Sequence, residues 1–432
     1  MSTSTNNVTN STTIASTYSL QGFNFKNRMI KGAMSEGLAN KAGEVNDKHL
    51  KLYETWAQGG LGCSITGNVM VDINAKNEPG VVAIEDEHDL PALTQWANIG
   101  KQYNMIQLVQ LSHPGRQCPK GLNKETVAPS AIPFSPALST FFGTPRALTE
   151  AEIYDIIKRF GNAARICKKA GFEGVQLHGA HGYLISQFLS PLTNQRTDQW
   201  GGSIENRMRF LLEVYREVRK QTGDNFIVSV KLNSADFQRG GFTEEDAIAV
   251  FRAIDAEGID FIEISGGTYE APAMAGAKRK KSGEAVKQSQ VKQSTVEREA
   301  YFLEFAEKIR QEVKTALMVT GGFRTRQGMD GALQSGACDF IGIARPLAVE
   351  TDAPDHLLAG NASVRYAVKP IKTGVPMLDK MAVMEVIWYA AQFKAIGQGK
   401  KPKPNLSPLL VLANYARGNI KAVLQRRTRL RA

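Results

Sequence analysis

The sequence predicts a (β/α)8 TIM barrel with a helical C-terminal extension. Three observations carry this. Short β-branched runs alternate with helical patterns of 10–20 residues, which argues a parallel sheet. Eight such units occupy about 320 of the 432 residues, and that number suits a closed barrel better than an open sheet. An open doubly wound sheet, the alternative, announces its dinucleotide with G-x-G-x-x-G after the first strand; neither that motif nor a Walker A sequence occurs.

The units follow in order. Residues 1–17 are almost all Ser, Thr and Asn and read as a disordered tail without a signal peptide. The first strand is expected at 27–34 and a helix at 47–59. Ile65-Thr66-Gly67 ends the second strand, a helix covers 89–102, and Met105–Leu111 is the third strand. Residues 114–147, rich in Pro and Phe, fit neither period and read as a large loop or cap. A helix opens after Thr149, with Thr149 and Glu152 spaced as a capping box, and runs to Ala170. Strand four is Glu173–Leu177, followed by a helix at 204–221. Strand five is Phe226–Lys231, a helix spans 243–256, and strand six is Asp260–Ile264. A helix at 296–312, strand Ala316–Val319, a helix at 325–335 and strand Asp339–Ile343 complete the series.

Charge divides the chain. Of 53 Lys/Arg and 42 Asp/Glu, residues 365–432 hold 14 basic side chains and only two acids, Asp379 and Glu385. The preceding 364 residues keep 39 basic and 40 acidic groups, so the body (18–364) is neutral and the extension (365–432) basic. The overall +11 therefore does not mark a nucleic-acid-binding body. Residues 377–396 read as an apolar helix, with a further helical pattern at 406–424 and a basic end. That combination suits docking on the barrel or on a second copy of the chain, with weak interfacial membrane contact as the sharper alternative; no run is long enough to span a bilayer. Four scattered cysteines and no C-x-x-C pair fit a reducing, cytoplasmic setting.

A barrel of this kind places function at the C-terminal ends of its strands, with phosphate near strands seven and eight. Strand seven runs into Thr320-Gly321-Gly322-Phe323-Arg324 and strand eight into Gly342-Ile343-Ala344-Arg345-Pro346. Adjacent glycines let backbone N–H groups approach an anion, and Arg345 adds a bidentate fork. Strand four ends in His178-Gly179-Ala180-His181-Gly182-Tyr183. Two neutral imidazoles can donate to one oxygen; they can also bind metal, but no carboxylate follows in the run to complete a site. Strand five ends at Lys231, either a Schiff-base nucleophile or a fixed charge beside an electron-rich cofactor. Strand three supplies the planar amide of Gln110, strand one Ser35 and strand two Gly67-Asn68. A flat heterocycle with a phosphate tail, such as FMN, fits this set.

The stretch His178 to Arg209, HGAHGYLISQFLSPLTNQRTDQWGGSIENRMR, resembles the signature of the Old Yellow Enzyme family of FMN-dependent ene reductases. Gln110–Gln117 (QLSHPGRQ), Arg298–Phe302 (REAYF) and Ile341–Pro346 (IGIARP) add support, and the resemblance covers residues 20–355. It implies bound FMN, with NADH or NADPH as reductant and an activated alkene as the small-molecule substrate. Ser35, Gly67 and Gln110 would contact the flavin ring, Lys231 would sit by N1/O2, and Gly321, Gly322 and Arg345 would hold the phosphate. His178 and His181 would bind the substrate oxygen, hydride would pass from flavin N5, and Tyr183 would deliver the proton. Arg196, Asp198, Glu205, Asn206 and Arg207 would brace the loop after strand four. Several positions depart from the commonest family pattern: Gly32-Ala33-Met34-Ser35 where A-P-M-[TC] is usual, Lys231 where many members have Arg, and Trp200 where Tyr or Phe is usual. The resemblance names neither the physiological substrate nor the preferred nicotinamide; Lys278-Arg279-Lys280-Lys281 favours an extra phosphate only weakly.

Overall fold

The structure, a computed structural model, describes residues 11–268, 270, 302–366, 371–374 and 383–414. Eight parallel strands close into a barrel. They are β3 (Met29–Lys31), β4 (Cys63–Met70), β5 (Ile106–Ser112), β8 (Gly174–Gly179), β9 (Ile227–Asn233), β10 (Phe261–Ser265), β11 (Ala316–Thr320) and β12 (Phe340–Ile343). Pairing of Ile341 with Met29 and of Ile343 with Lys31 closes the ring. The helices between them are α1 (Asp47–Gln58), α2 (Leu90–Gln102), α4 (Glu150–Ala170), α6 (Ile204–Thr222), α7 (Glu244–Ala256), α8 (Leu303–Arg310) and α9 (Arg326–Gln334). The expected capping box forms: Thr149 accepts from the Glu152 amide, and the Glu152 carboxylate answers to the Thr149 amide.

Most of each strand is buried on both faces, as a sheet covered by helices requires. Outward residues such as Val109, Val175, Val228 and Ile262 join the helices in the main core. Inward residues, among them Ile30, Ile65, Leu108, Ile227 and Phe340, form a second cluster inside the lower barrel.

Two features were not expected. An antiparallel hairpin, β1 (Tyr18–Leu20) and β2 (Phe23–Phe25), packs onto that inner cluster. Its turn residues Gln21 and Gly22 both have positive φ (50° and 80°), which suits a tight two-residue hairpin loop. Phe25 is fully buried, with its ring 4.9 Å from that of Phe340. The second feature concerns the tail. Residues 11–17 are packed rather than disordered: Ile14 is fully buried in the main core, and its amide donates to Asp330 Oδ1 at 2.8 Å. One isoleucine in a polar run anchors the segment.

The first barrel strand is shorter than the expected 27–34. After Lys31 the chain leaves the sheet, and Ala33, Met34 and Ser35 turn to line the mouth. The expected cap at 114–147 holds a two-residue parallel pair, β6 (Val127–Ala128) with β7 (Arg146–Ala147), and one helical turn, α3 (Pro136–Ser139). After β8 comes the short helix α5 (Leu184–Leu189), and after β12 a 3-10 turn, Arg345–Ala348, and α10 (Ala353–Leu358). In the extension, α11 (Val383–Gly397) lies on α1: the Phe393 ring meets Trp56 at 5.3 Å, and Ile396 is buried. Residues 408–414 are helical. The Lys278–Lys281 run, Arg298–Tyr301, the start of the helix expected at 296–312 and the basic end lie outside the described residues. Among the described residues, no helix is long and apolar enough to cross a membrane.

Candidate active site

Strand register builds the site. Lys231 pairs with His178 on one side and Glu263 on the other, while Gln110 pairs with Asn68 and Gln176. These polar residues therefore meet at the C-terminal end of the barrel, above the apolar plug. They open onto a cavity lined by Ser35, Asn68, Gln110, His178, His181, Tyr183, Lys231, Ser265, Thr320, Gly321, Gly322 and Arg345, among others.

Nine of the ten expected site residues line that cavity; Gly67 does not. Its N–H donates to Glu36 Oε1 (3.0 Å) and to the Tyr53 hydroxyl (3.2 Å), and a Cβ there would lie 2.7 Å from the Met34 carbonyl oxygen. The β4–β5 register shifts between Ile65 and Asn68. Such a bulge re-aims the next side chain, and it is Asn68 that faces the cavity, its Nδ2 buried without a partner.

Gln110 Nε2 donates to Gln176 (2.8 Å), and Gln176 Nε2 donates to Glu263 Oε2 (2.9 Å). The other carboxylate oxygen of Glu263 lies 2.9 Å from Lys231 Nζ, as an ion pair without hydrogen-bond alignment. Glu263 is fully buried, so Lys231 is its counter-ion as well as a cation at the mouth. Sequence reasoning missed Glu263 because in strand six it reads as one polar residue in an apolar run.

His178 and His181 present rings with centroids 5.3 Å apart at 85°. Burial, then the Lys231 charge, pushes both imidazoles well below their ordinary range, so both are neutral. His181 adopts φ 60°, and its Nε2 pairs with Ser265 Oγ at 2.7 Å. His178 Nδ1 has no partner. The Tyr183 ring lies 4.5 Å from that of His178, and its hydroxyl accepts from Asn77 Nδ2 at 3.0 Å. Asn77 belongs to the loop after β4, which carried no sequence signal. Among the described residues, no group of three metal-ligand side chains comes together.

At the other end of the cavity, Gly321 and Gly322 both have positive φ (126° and 88°). Glycine adopts this conformation without strain, and without a Cβ it lets an anion approach the backbone closely. Arg324 and Arg345 share this wall, and Thr320 Oγ1 is buried without a partner. Of the residues expected to brace the loop after strand four, Arg196 pairs with Asp198 at 2.5 Å, Arg207 with Asp246 at 3.0 Å, and Asn206 Nδ2 donates to the Gly201 carbonyl, while Glu205 stays at the exposed start of α6.

The sequence profile of the NADH:flavin oxidoreductase / NADH oxidase family matches residues 19–362. The chain belongs to this family. Among the relatives of this flavin oxidoreductase, the NADH-dependent flavin oxidoreductase iliE of Hypocrea jecorina (strain QM6a) is 38% identical over 358 residues, 78% of this chain and 86% of the relative. The NADH-dependent flavin oxidoreductase iccE of Talaromyces variabilis is 32% identical over 405 residues, 87% and 96% of the two chains. A 2-naphthoyl-CoA reductase structure superposes with TM-score 0.73 at 26% identity, covering 88% of this chain and 58% of that one. The Old Yellow Enzyme homologue of Zymomonas mobilis has the same fold, with TM-score 0.67 at 24% identity over 83% of this chain and 97% of that one.

The protein is thus a flavin oxidoreductase that uses FMN and NAD(P)H. Its cavity fits FMN: orphaned polar atoms of Asn68, His178 and Thr320 await partners, and the paired glycines stand beside two arginines. Ser35, Asn68, Gln110 and Lys231 would hold the ring, and Gly321, Gly322, Arg324 and Arg345 the phosphate.

Proposed function

We propose that the enzyme reduces activated C=C bonds, those of α,β-unsaturated carbonyls and nitroalkenes. One observation carries this reading: two neutral imidazoles and a tyrosine hydroxyl converge beside the cofactor cavity. FMN, when bound, supplies the hydride that NAD(P)H delivers. His178 and His181 donate to the electron-withdrawing oxygen of the substrate and stabilise the negative charge that grows there. Neutral donors suit this task, because they hold the oxygen without requiring a titration step. Tyr183 then gives its proton to the α-carbon as general acid. Tyrosine, with an ordinary pKa of about 10, is a weak acid, but an enolate-like carbon is basic enough to take the proton. Membership in a flavin family displaces the Schiff-base aldolase reading, and the buried Glu263 gives Lys231 a different role.

NADH is the preferred reductant in this reading, supported by the naming of the iliE and iccE relatives as NADH-dependent; bleaching of the 450 nm flavin band by NADH or NADPH tests that. Tyr183→Phe tests the chemistry. The variant should keep its flavin and its oxidation of NAD(P)H, and should lose about 10²–10⁴ in the rate of enone reduction. Wild-type enone turnover in that variant would remove Tyr183 from the role.

A further inference from the structure

The C-terminal extension reaches the cofactor. One face of α11 carries Glu385, Val386 and Tyr389, and all three line the cavity. Glu385 and Tyr389 stand four residues apart, one above the other on the helix. The helix is fixed beyond this face, where Phe393 packs on Trp56 and Gln392 exchanges two hydrogen bonds of 2.8 Å with the Lys403 backbone, and alongside it, where Trp388 Nε1 donates to the Leu406 carbonyl at 2.9 Å. Gly397 sits so close to α1 that a Cβ would lie 2.6 Å from the Lys48 carbonyl oxygen. The near end therefore holds a carboxylate against the cavity wall.

That carboxylate meets Arg345. Glu385 Oε2 lies 3.5 Å from Arg345 Nη1, and their side chains are only 18% and 22% exposed. Arg345 stands beside the positive-φ glycines at the wall where the phosphate belongs. A phosphomonoester carries about −1.5 to −2 at neutral pH. Glu385 thus holds a negative charge beside the cation that the phosphate needs, in a place where water screens little.

We propose that Glu385 competes with the FMN phosphate for Arg345, so that the C-terminal extension sets how tightly the cofactor is held. Without flavin, Glu385 neutralises an otherwise unpaired arginine. With flavin, the phosphate displaces it, and the residual repulsion weakens the complex. Burial raises the Glu385 carboxyl above its ordinary range against the pull of Arg345, and burial likewise pushes the Tyr389 hydroxyl up to about 12. Both shifts mark a wall where an extra negative charge is costly.

The test compares FMN with riboflavin, which has the same ring and no phosphate. Each is titrated by fluorescence quenching into full-length protein stripped of its flavin, for the wild type and for Glu385→Gln. The amide keeps the shape and removes the charge. The proposal expects Glu385→Gln to tighten FMN roughly tenfold, the scale of one partly buried charge interaction, and to leave riboflavin unchanged. Glu385→Ala, which also removes the charge, should tighten FMN in the same direction and guards against an effect peculiar to the amide. FMN affinity that is unchanged or weaker in both variants would overturn the proposal, because Glu385 would then be a spectator or a support for Arg345. Equal tightening of FMN and riboflavin would also overturn it, since the effect would not lie at the phosphate.

Discussion

Lys231 Nζ lies 2.9 Å from the fully buried carboxylate of Glu263. The two are register neighbours on β9 and β10, so the pairing is set by the sheet rather than by a flexible side chain. Lys231→Met would strip Glu263 of its direct ion-pair partner and leave a buried anion with only the more distant Lys31 charge near it. Breaking such a pair typically costs about 3–5 kcal/mol, and the chemical-denaturation midpoint should fall accordingly. Adding Glu263→Gln should recover most of that loss, because an amide at 263 still accepts from Gln176. A double variant no more stable than Lys231→Met alone would show that the loss came from packing and not from the orphaned charge.

Asn77 places one donor on the Tyr183 hydroxyl at 3.0 Å. A hydroxyl that accepts from Asn77 keeps its own proton for a different acceptor. Asn77→Ala should slow the protonation step by several-fold while flavin content and NAD(P)H oxidation stay constant. The same change in a Tyr183→Phe background should have no further effect, since the pair acts as a unit. Additive losses in stopped-flow kinetics of the oxidative half-reaction would separate the two residues.

The barrel was legible because its signal is periodic and repeated: every strand–helix unit states the same pattern, and strand ends announce the site. What escaped had no period. Ile14 is one apolar residue in a Ser/Thr/Asn run, and its burial depends on a hole between distant elements. Ile14→Ala should cost about 2–5 kcal/mol, which thermal unfolding can read. The resemblance implied a flavin contact at Gly67, but its N–H is turned to Glu36 and Tyr53, and Asn68, beyond the β4–β5 register shift, lines the cavity. Asn77, Glu263 and Glu385 reach the site from a loop, a central strand and the extension. Only tertiary packing brings those three together, so no local motif could have marked them.

Neutral histidines make a pH prediction. Burial and the Lys231 charge push both His178 and His181 well below the ordinary value of 6.5. Binding of a phenol, followed by its charge-transfer absorbance with the flavin, should therefore show no inflection between about pH 5.5 and 7.5. Changing both histidines to Ala should abolish the band. An inflection near 6.5 in the wild type would mean that an imidazole gains charge there, and an unchanged band in the double variant would end the oxygen-binding assignment.

Glu78 gives the opposite kind of pH dependence. It sits beside Ser35 with Oε1 buried and unpartnered, and burial lifts its carboxyl from 4.5 to about 7 against the Ser35 hydrogen bond. In the unfolded chain the same carboxyl loses its proton near 4.5. Between those values the folded state keeps a proton that the unfolded state has released. Stability must therefore fall as pH rises from about 4.5 to about 7, and level off above. The total is on the order of a few kcal/mol. Glu78→Gln is neutral throughout and should flatten this part of the profile, so that the variant gains on the wild type as pH rises. Urea denaturation of both proteins across that range gives the difference directly; parallel curves would mean that Glu78 ionises in the fold as it does in water, and that it leaves Ser35 beside a charge rather than a neutral acid.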